Sequence, residues 1–194
     1  MITQKELGNK LVELNRLDLL GASATRDKIF YEILNKIDFN IAVEIGTYKG
    51  LSTVVLASKA NTVYTFDVYD WKEKDFIWSS FGVKNKIKSF ILGELKSKDM
   101  NIKGLSGWTV VGNYIDQEAS RKNISEILKN LVFDFAFIDG WHDYENIKKD
   151  FEIVKKCGKV LFHDYSRYLG IQKFCDEIKA KPIECFAYWE EIKI

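Results

Sequence analysis

The chain has 194 residues, 29 basic and 28 acidic side chains, and a net charge of +1 at pH 7. This length predicts a single domain with a short appendage, and the even charge balance provides none of the basic excess typical of nucleic-acid or membrane-surface binding. The three cysteines form no CxxC pair, the first residues lack a signal-peptide pattern, and no apolar run is long enough to span a bilayer. We therefore expect a cytoplasmic protein with reduced thiols.

Helical and strand-like patterns alternate along the chain. Leucines spaced three and four residues apart predict an amphipathic helix over residues 1–20, and a second helix is predicted over 25–36. Apolar, mostly β-branched or aromatic runs predict six strands, at 41–45, 63–66, 108–111, 132–138, 160–162 and 183–188. The predicted helices between the strands cover 52–59, 124–131, 143–156 and 169–180. Residues 68–107 are interpreted as a crossover helix with loops.

Alternating strands and helices predict βαβ units, and hence an α/β fold. We expect a Rossmann-like, doubly wound, mostly parallel sheet with helices on both faces, formed by residues 41–194. The helices of residues 1–40 would then act as a lid or as the contact of a homodimer. Few residues follow position 183, and they contain no turn signal, so we expect the last edge of the sheet to be shortened.

Glycines and acids stand where the first two predicted strands end, which is where ligands bind in sheets of this kind. Gly46 and Gly50 follow the first strand, and Asp67 ends the second strand, 21 residues after Gly46. That offset suits an acid that binds ribose hydroxyls, whereas the GxxxG spacing differs from the GxGxxG of NAD and FAD sites. The pattern predicts a nucleoside site. The alternative is a glycine turn with an ordinary loop aspartate.

Four segments occur in order: Glu44-Ile-Gly46-Thr-Tyr48-Lys-Gly50-Leu-Ser52, then Asp67, then Ile138-Asp139-Gly140-Trp141-His142-Asp143-Tyr144, then His163-Asp164-Tyr165. In these segments the chain resembles the class I S-adenosylmethionine-dependent methyltransferases, and more narrowly the small O-methyltransferase-like group. The resemblance spans about residues 40–166.

The resemblance implies that S-adenosylmethionine is the cofactor. It implies a role for Asp67 at the ribose, for Asn113 near the adenine, and for Asp139 at the methionine end and the reacting centre. Trp141, beside the site, is expected to contact cofactor or substrate. The full set of expected cofactor-binding residues is Glu44, Gly46, Tyr48, Gly50, Ser52, Asp67, Asn113, Asp139 and Trp141.

Asp139, His163 and Asp164 form a candidate metal site, because carboxylate oxygens suit Mg²⁺. Related metal-dependent O-methyltransferases carry an acidic or amide pair where this chain has His163-Asp164, so the identity of the ion and its presence stay open. His142 follows Asp139 by three residues and has the pKa range of a proton acceptor. Two interpretations of His142 stay open, a general base or a helix-capping residue.

The predicted activity is transfer of a methyl group to an oxygen of a small molecule or sugar, with Asp139 and His142 as catalytic residues. Two alternatives remain: a non-catalytic nucleoside-binding protein of the same fold, and an NAD-linked oxidoreductase. The sequence does not identify the acceptor.

Overall fold

The computed structural model describes residues 1–67, 71, 73–91 and 117–191. Its seven strands are β1 (Ile41–Ile45), β2 (Thr62–Asp67), β3 (Ile87–Ile91), β4 (Phe135–Ile138), β5 (Lys159–Phe162), β6 (Lys181–Ile183) and β7 (Phe186–Glu190). They form one sheet in the order β3-β2-β1-β4-β5-β7-β6. The first five strands are parallel, and β7 is antiparallel to both β5 and β6. This is the predicted Rossmann-like α/β fold. The strand order changes direction at β1, because β2 and β3 lie on one side of it and β4 and β5 on the other, so the carboxyl ends of β1, β2 and β4 are neighbours.

The described helices are α1 (Gln4–Glu13), α2 (Lys28–Lys36), α3 (Leu51–Lys59), α4 (Glu73–Ser80), α5 (Gln117–Leu128), α6 (Tyr144–Val154) and α7 (Leu169–Glu177). Their ends follow local chemistry: Thr3 and Glu6 form a capping box at the start of α1, and the Asp143 side chain accepts a hydrogen bond from the Asn146 N–H at the start of α6. None of the described helices is long and apolar enough to cross a membrane.

Successive strand residues point to opposite faces of the sheet and fill two cores. Ala42 and Phe137 belong to the core that includes α1, α2 and α3, whereas Val43 and Ile138 belong to the core under α5, α6 and α7. The Phe30 ring of α2 stacks on Phe186 at a centroid distance of 5.6 Å and contacts Phe137 at 5.2 Å. The N-terminal helices thus complete one face of the sheet, while the domain boundary at residue 40 stays a prediction.

The expected shortened edge was wrong, because β6 and β7 form an antiparallel hairpin instead of one strand at 183–188. The turn contains Glu184 with φ 56°, a left-handed backbone conformation reached here without glycine, so no turn signal marked it. The interpretation of 68–107 as helix and loops was incomplete, since it contains β3 as well as α4. The strand predicted at 108–111 lies outside the described residues.

Several element boundaries also differ from the predicted ones. The first helix ends at Glu13, after which Asn15 has φ 53° and a short 3-10 helix covers Leu17–Ala22. β4 starts at Phe135 rather than at residue 132, and α7 ends at Glu177 rather than at 180.

Candidate functional site

Gly46 shapes the turn between β1 and α3. Its φ is 99°, and a Cβ built on it would lie 2.3 Å from the carbonyl oxygen of Asp139. Its N–H donates to the Phe66 carbonyl of β2 at 2.8 Å. Only glycine combines this backbone conformation with so close an approach, and the result is that the tips of β1, β2 and β4 meet at one point.

Asp67 lies directly beside this turn. Its Oδ2 accepts a hydrogen bond from the Tyr48 N–H at 2.7 Å, so the end of β2 is fixed to the loop that follows Gly46. The Tyr48 ring packs edge-on against Trp71, with a centroid distance of 4.7 Å. The two elements that the sequence spacing paired therefore lie together in space.

A narrow pocket lies over the turn. The 3-10 segment at the N-terminus covers one side of it with Leu19, and Ser23 follows on the same side. The turn and β4 provide the remaining lining residues, which are Thr47, Tyr48, Lys49, Gly50, Leu51, Ser52 and Asp139. Five of the expected cofactor residues, Tyr48, Gly50, Ser52, Asp67 and Asp139, thus lie at this pocket or beside it.

Glu44 lies in β1, two residues before Gly46, and is fully buried. Its Oε2 accepts hydrogen bonds from the Thr53 and Thr65 hydroxyls, both at 2.6 Å, while its Oε1 has no hydrogen-bond partner within the described part of the chain. Burial raises the pKa of this carboxyl to about 7, although hydroxyl donors oppose the shift. Through these two hydrogen bonds, Glu44 connects β1 to α3 and to β2.

Asp139, His163 and Asp164 converge where β4 and β5 end, as adjacent parallel strands require. His163 Nδ1 lies 2.8 Å from Asp139 Oδ1, and its Nε2 lies 3.6 Å from Asp164 Oδ1. Burial alone would lower the pKa of His163, but the Asp139 carboxylate and the other acceptors raise it to about 10. Asp139 therefore holds the imidazole through Nδ1, while the Asp164 carboxylate lies near Nε2 at a distance too long for a hydrogen bond.

His142 lies at the same end of the sheet, which we call the rim: the residues that follow β4 and β5. Its Nε2 is 3.2 Å from Asp164 Oδ2, and its ring stacks on Tyr168 with centroids 4.2 Å apart. Asp164 has φ 59°, a conformation that non-glycine residues adopt at a cost and that clusters at functional sites. Burial would raise the pKa of Asp164, but His142, His163 and Arg167 lower it overall. The histidine and the aspartate form an oriented pair.

Two residues of this region were not predicted. Asp27, just before α2, places Oδ2 3.9 Å from His163 Nε2, and Cys185 in the β6–β7 turn places Sγ 3.3 Å from the same oxygen. No local pattern marks either residue, since they are 158 positions apart in the chain. Trp141 is 43% exposed at the rim, and Asn113 lies outside the described residues.

The donor atoms of Asp139, His163 and Asp164 lie within 4.8 Å of one another, which is close enough to share an ion. Mg²⁺ prefers an octahedron of oxygen ligands. Here one donor is an imidazole, and Asp139 Oδ1 already pairs with its Nδ1. The set does not fit Mg²⁺.

Comparison with solved structures shows that the fold of this chain is similar to the folds of methyltransferases. An O-methyltransferase from Bacillus cereus in complex with SAH has a TM-score of 0.60 and 17% identity, with 97% of this chain and 90% of that chain covered. The O-methyltransferase TomG from Streptomyces achromogenes, in complex with SAM, has a TM-score of 0.57 and 15% identity, with coverages of 91% and 77%. An rRNA methylase from Streptococcus thermophilus has a TM-score of 0.54 and 12% identity, with coverages of 86% and 96%.

A comparison with curated protein sequences found no match. A family model described as "Methyltransferase domain" matches residues 43–165, which is more than half of the chain and includes all four segments singled out above. The chain therefore belongs to the methyltransferase domain family.

Proposed function

We propose that the protein transfers a methyl group from S-adenosylmethionine to an oxygen of a small molecule or sugar. The observation that carries the proposal is the meeting of three strand tips: the Gly46 turn lies against the backbone of Asp139 and beside the carboxylate of Asp67. This arrangement offers an acid for a ribose diol and a close backbone approach, without the glycine pattern of a pyrophosphate site. It suits a nucleoside that carries no phosphate.

S-adenosylmethionine supplies an electrophilic methyl group when it is bound. The contribution of the chain is to align an acceptor and to remove its proton. We propose that His142 accepts the proton that leaves the acceptor hydroxyl. Its Nε2 lies 3.2 Å from Asp164 Oδ2, and this carboxylate favours the tautomer with the proton on Nε2, which leaves the basic lone pair on Nδ1. Asp139 faces the pocket from β4 and supplies negative charge suited to a sulfonium.

The rim near His142 favours a small acceptor with a planar or sugar-like face. Trp141 and Tyr168 are 43% and 37% exposed there, and their rings offer surfaces on which such a molecule would stack. The rRNA methylase relative makes nucleic acid the other acceptor class, but the net charge of +1 does not favour it. No step is assigned to Mg²⁺, because the donors do not match that ion. The cytoplasmic location and the homodimer stay predictions.

Titration calorimetry tests the cofactor. We expect equimolar binding of S-adenosylmethionine, no binding of NAD, and a loss of affinity of roughly 10- to 100-fold in Asp67→Ala, the size expected when a charge-assisted hydrogen-bond pair is lost. Asp75→Ala, which removes an exposed aspartate from α4, is the matched control. Binding of NAD instead, or equal affinity in Asp67→Ala and wild type, would refute the proposal.

Release of S-adenosylhomocysteine, measured over a panel of sugars, phenols and other hydroxyl compounds, tests the reaction. His142→Gln should slow turnover by about 10²- to 10⁴-fold, the usual contribution of a general base, while the affinity for S-adenosylmethionine stays the same. Cofactor binding with no turnover on any acceptor would favour the non-catalytic alternative.

A further inference from the structure

The second ring nitrogen of His163 faces a different group of residues from the first. Nδ1 is engaged by Asp139, so Nε2 points away from it. The side chain of His163 is 4% exposed, and Nε2 has no hydrogen-bond partner within the described residues. A buried nitrogen without a partner is costly, so its surroundings call for a ligand.

Those surroundings contain one sulfur and two oxygens. Nε2 lies 3.9 Å from Asp27 Oδ2 and 3.6 Å from Asp164 Oδ1, and Cys185 Sγ lies 3.3 Å from Asp27 Oδ2. The donor atoms of Asp27, His163 and Cys185 all lie within 4.8 Å of one another. In tetrahedral zinc sites, bond lengths of about 2.0–2.3 Å place neighbouring ligand atoms about 3.3–3.8 Å apart. The observed separations lie close to that range.

We propose that Asp27 Oδ2, His163 Nε2 and Cys185 Sγ bind a Zn²⁺-type divalent ion. The donor set of one oxygen, one nitrogen and one sulfur suits zinc and does not suit Mg²⁺. Asp164 Oδ1, which lies 3.6 Å from Nε2, would take the fourth position. Zinc binding at Asp27, His163 and Cys185 does not require methyl transfer, although Asp139 and Asp164 also belong to the proposed active site.

Asp139 is not a ligand in this site. It positions the ligand His163 through a hydrogen bond. Its hydrogen bond with Nδ1 fixes the ring, as carboxylates behind zinc-binding histidines do, so that Nε2 can bind the ion once the ion has displaced the Nε2 proton. The ion would join three parts of the fold: the segment before α2, the end of β5 and the β6–β7 turn. It would thereby fasten the N-terminal helices to the far edge of the sheet.

Cobalt substitution of the full chain tests the site. After chelator treatment, Co²⁺ should bind at one equivalent, give tetrahedral visible bands and a sulfur-to-cobalt charge-transfer band, and be displaced by Zn²⁺. Cys185→Ser should lose the charge-transfer band and weaken Zn²⁺ binding at least tenfold, and Asp27→Asn should weaken it similarly. Cys157→Ser is the matched control, because that thiol lies in the 3-10 turn before β5 and donates to the Lys159 carbonyl.

Asp139→Asn distinguishes the proposed Asp27–His163–Cys185 site from the alternative site in which Asp139 is itself a ligand. We expect it to retain the charge-transfer band while Zn²⁺ affinity falls about 10- to 100-fold, the usual effect of losing a group behind a ligand. Circular dichroism checks that each variant folds. The proposal is overturned if wild type binds neither ion, if Cys185→Ser keeps the band, or if Asp139→Asn abolishes binding while Cys185→Ser leaves it intact.

Discussion

Gly46 and Asp139 are in backbone contact across β1 and β4, so close that a methyl group on Gly46 would meet the Asp139 carbonyl oxygen at 2.3 Å. Gly46→Ala is therefore expected to lower the free energy of unfolding by more than about 2 kcal/mol, because strain at φ 99° adds to the steric overlap. Urea denaturation measures it. Gly8→Ala in α1 is the control, since a Cβ there meets nothing within 4 Å. That control should be neutral or stabilise the protein, and equal effects of both variants would contradict the argument.

Arg121 of α5 and Asp150 of α6 form a buried ion pair, with Nε 2.7 Å from Oδ1 and side chains only 9% and 3% exposed. Removing one partner leaves a buried charge, so Arg121→Met should cost about 3–5 kcal/mol of unfolding free energy. The double variant Arg121→Met with Asp150→Leu should recover much of this loss. Lys28→Met, at an exposed ion pair in α2, should change stability by less than about 1 kcal/mol. If the double variant is no more stable than Arg121→Met, the explanation fails.

Glu44 should make stability depend on pH. Its pKa rises from 4.5 to about 7 on folding, so the folded state binds the proton more tightly than the unfolded state does. Its contribution is complete below pH 4.5 and is lost as the pH rises toward 7, by up to about 3 kcal/mol.

Glu44→Gln removes this titration, so the variant should gain stability relative to wild type as the pH rises through that window. Urea denaturation at several pH values measures the difference. Glu13→Gln, on the exposed surface of α1, is the control for loss of a carboxylate. A pH-independent difference between Glu44→Gln and wild type would show that the buried carboxyl does not titrate there.

Phe30 couples the N-terminal helices to the sheet through its contacts with Phe137 and Phe186. Phe30→Ala should cost about 3–5 kcal/mol and shift one cooperative thermal transition. Val12→Ala, at a position 59% exposed in α1, is the control and should have little effect. Two separate transitions, with only the smaller one shifted by Phe30→Ala, would mean that residues 1–40 unfold on their own.

Sequence patterns predicted the parallel part of the sheet because its strands are short apolar runs between helices. The predicted range 41–45 is the range observed for β1. β3 was missed because Lys88 and Ser89 interrupt its apolar pattern at the edge of the sheet. The hairpin was missed because Glu184 adopts a left-handed conformation that usually marks glycine or asparagine.

The site was predictable where adjacency of strands determines it. Asp139 and Asp164 follow β4 and β5, which are neighbours, so their convergence follows from strand order alone. Asp27 and Cys185 reach the same place only through tertiary packing of the N-terminal helices and the last hairpin. Local periodicity contains no information about such a contact.

Pro182 lies in the middle of β6, the strand at one end of the sheet. Proline has no N–H to donate, so it removes one of the hydrogen bonds that an incoming strand from another molecule would need. Exposed sheet borders are the common starting points of intermolecular β-aggregation, and natural proteins often place proline there. The single proline of this chain therefore lies in an edge strand, where it disfavours intermolecular strand pairing at high protein concentration.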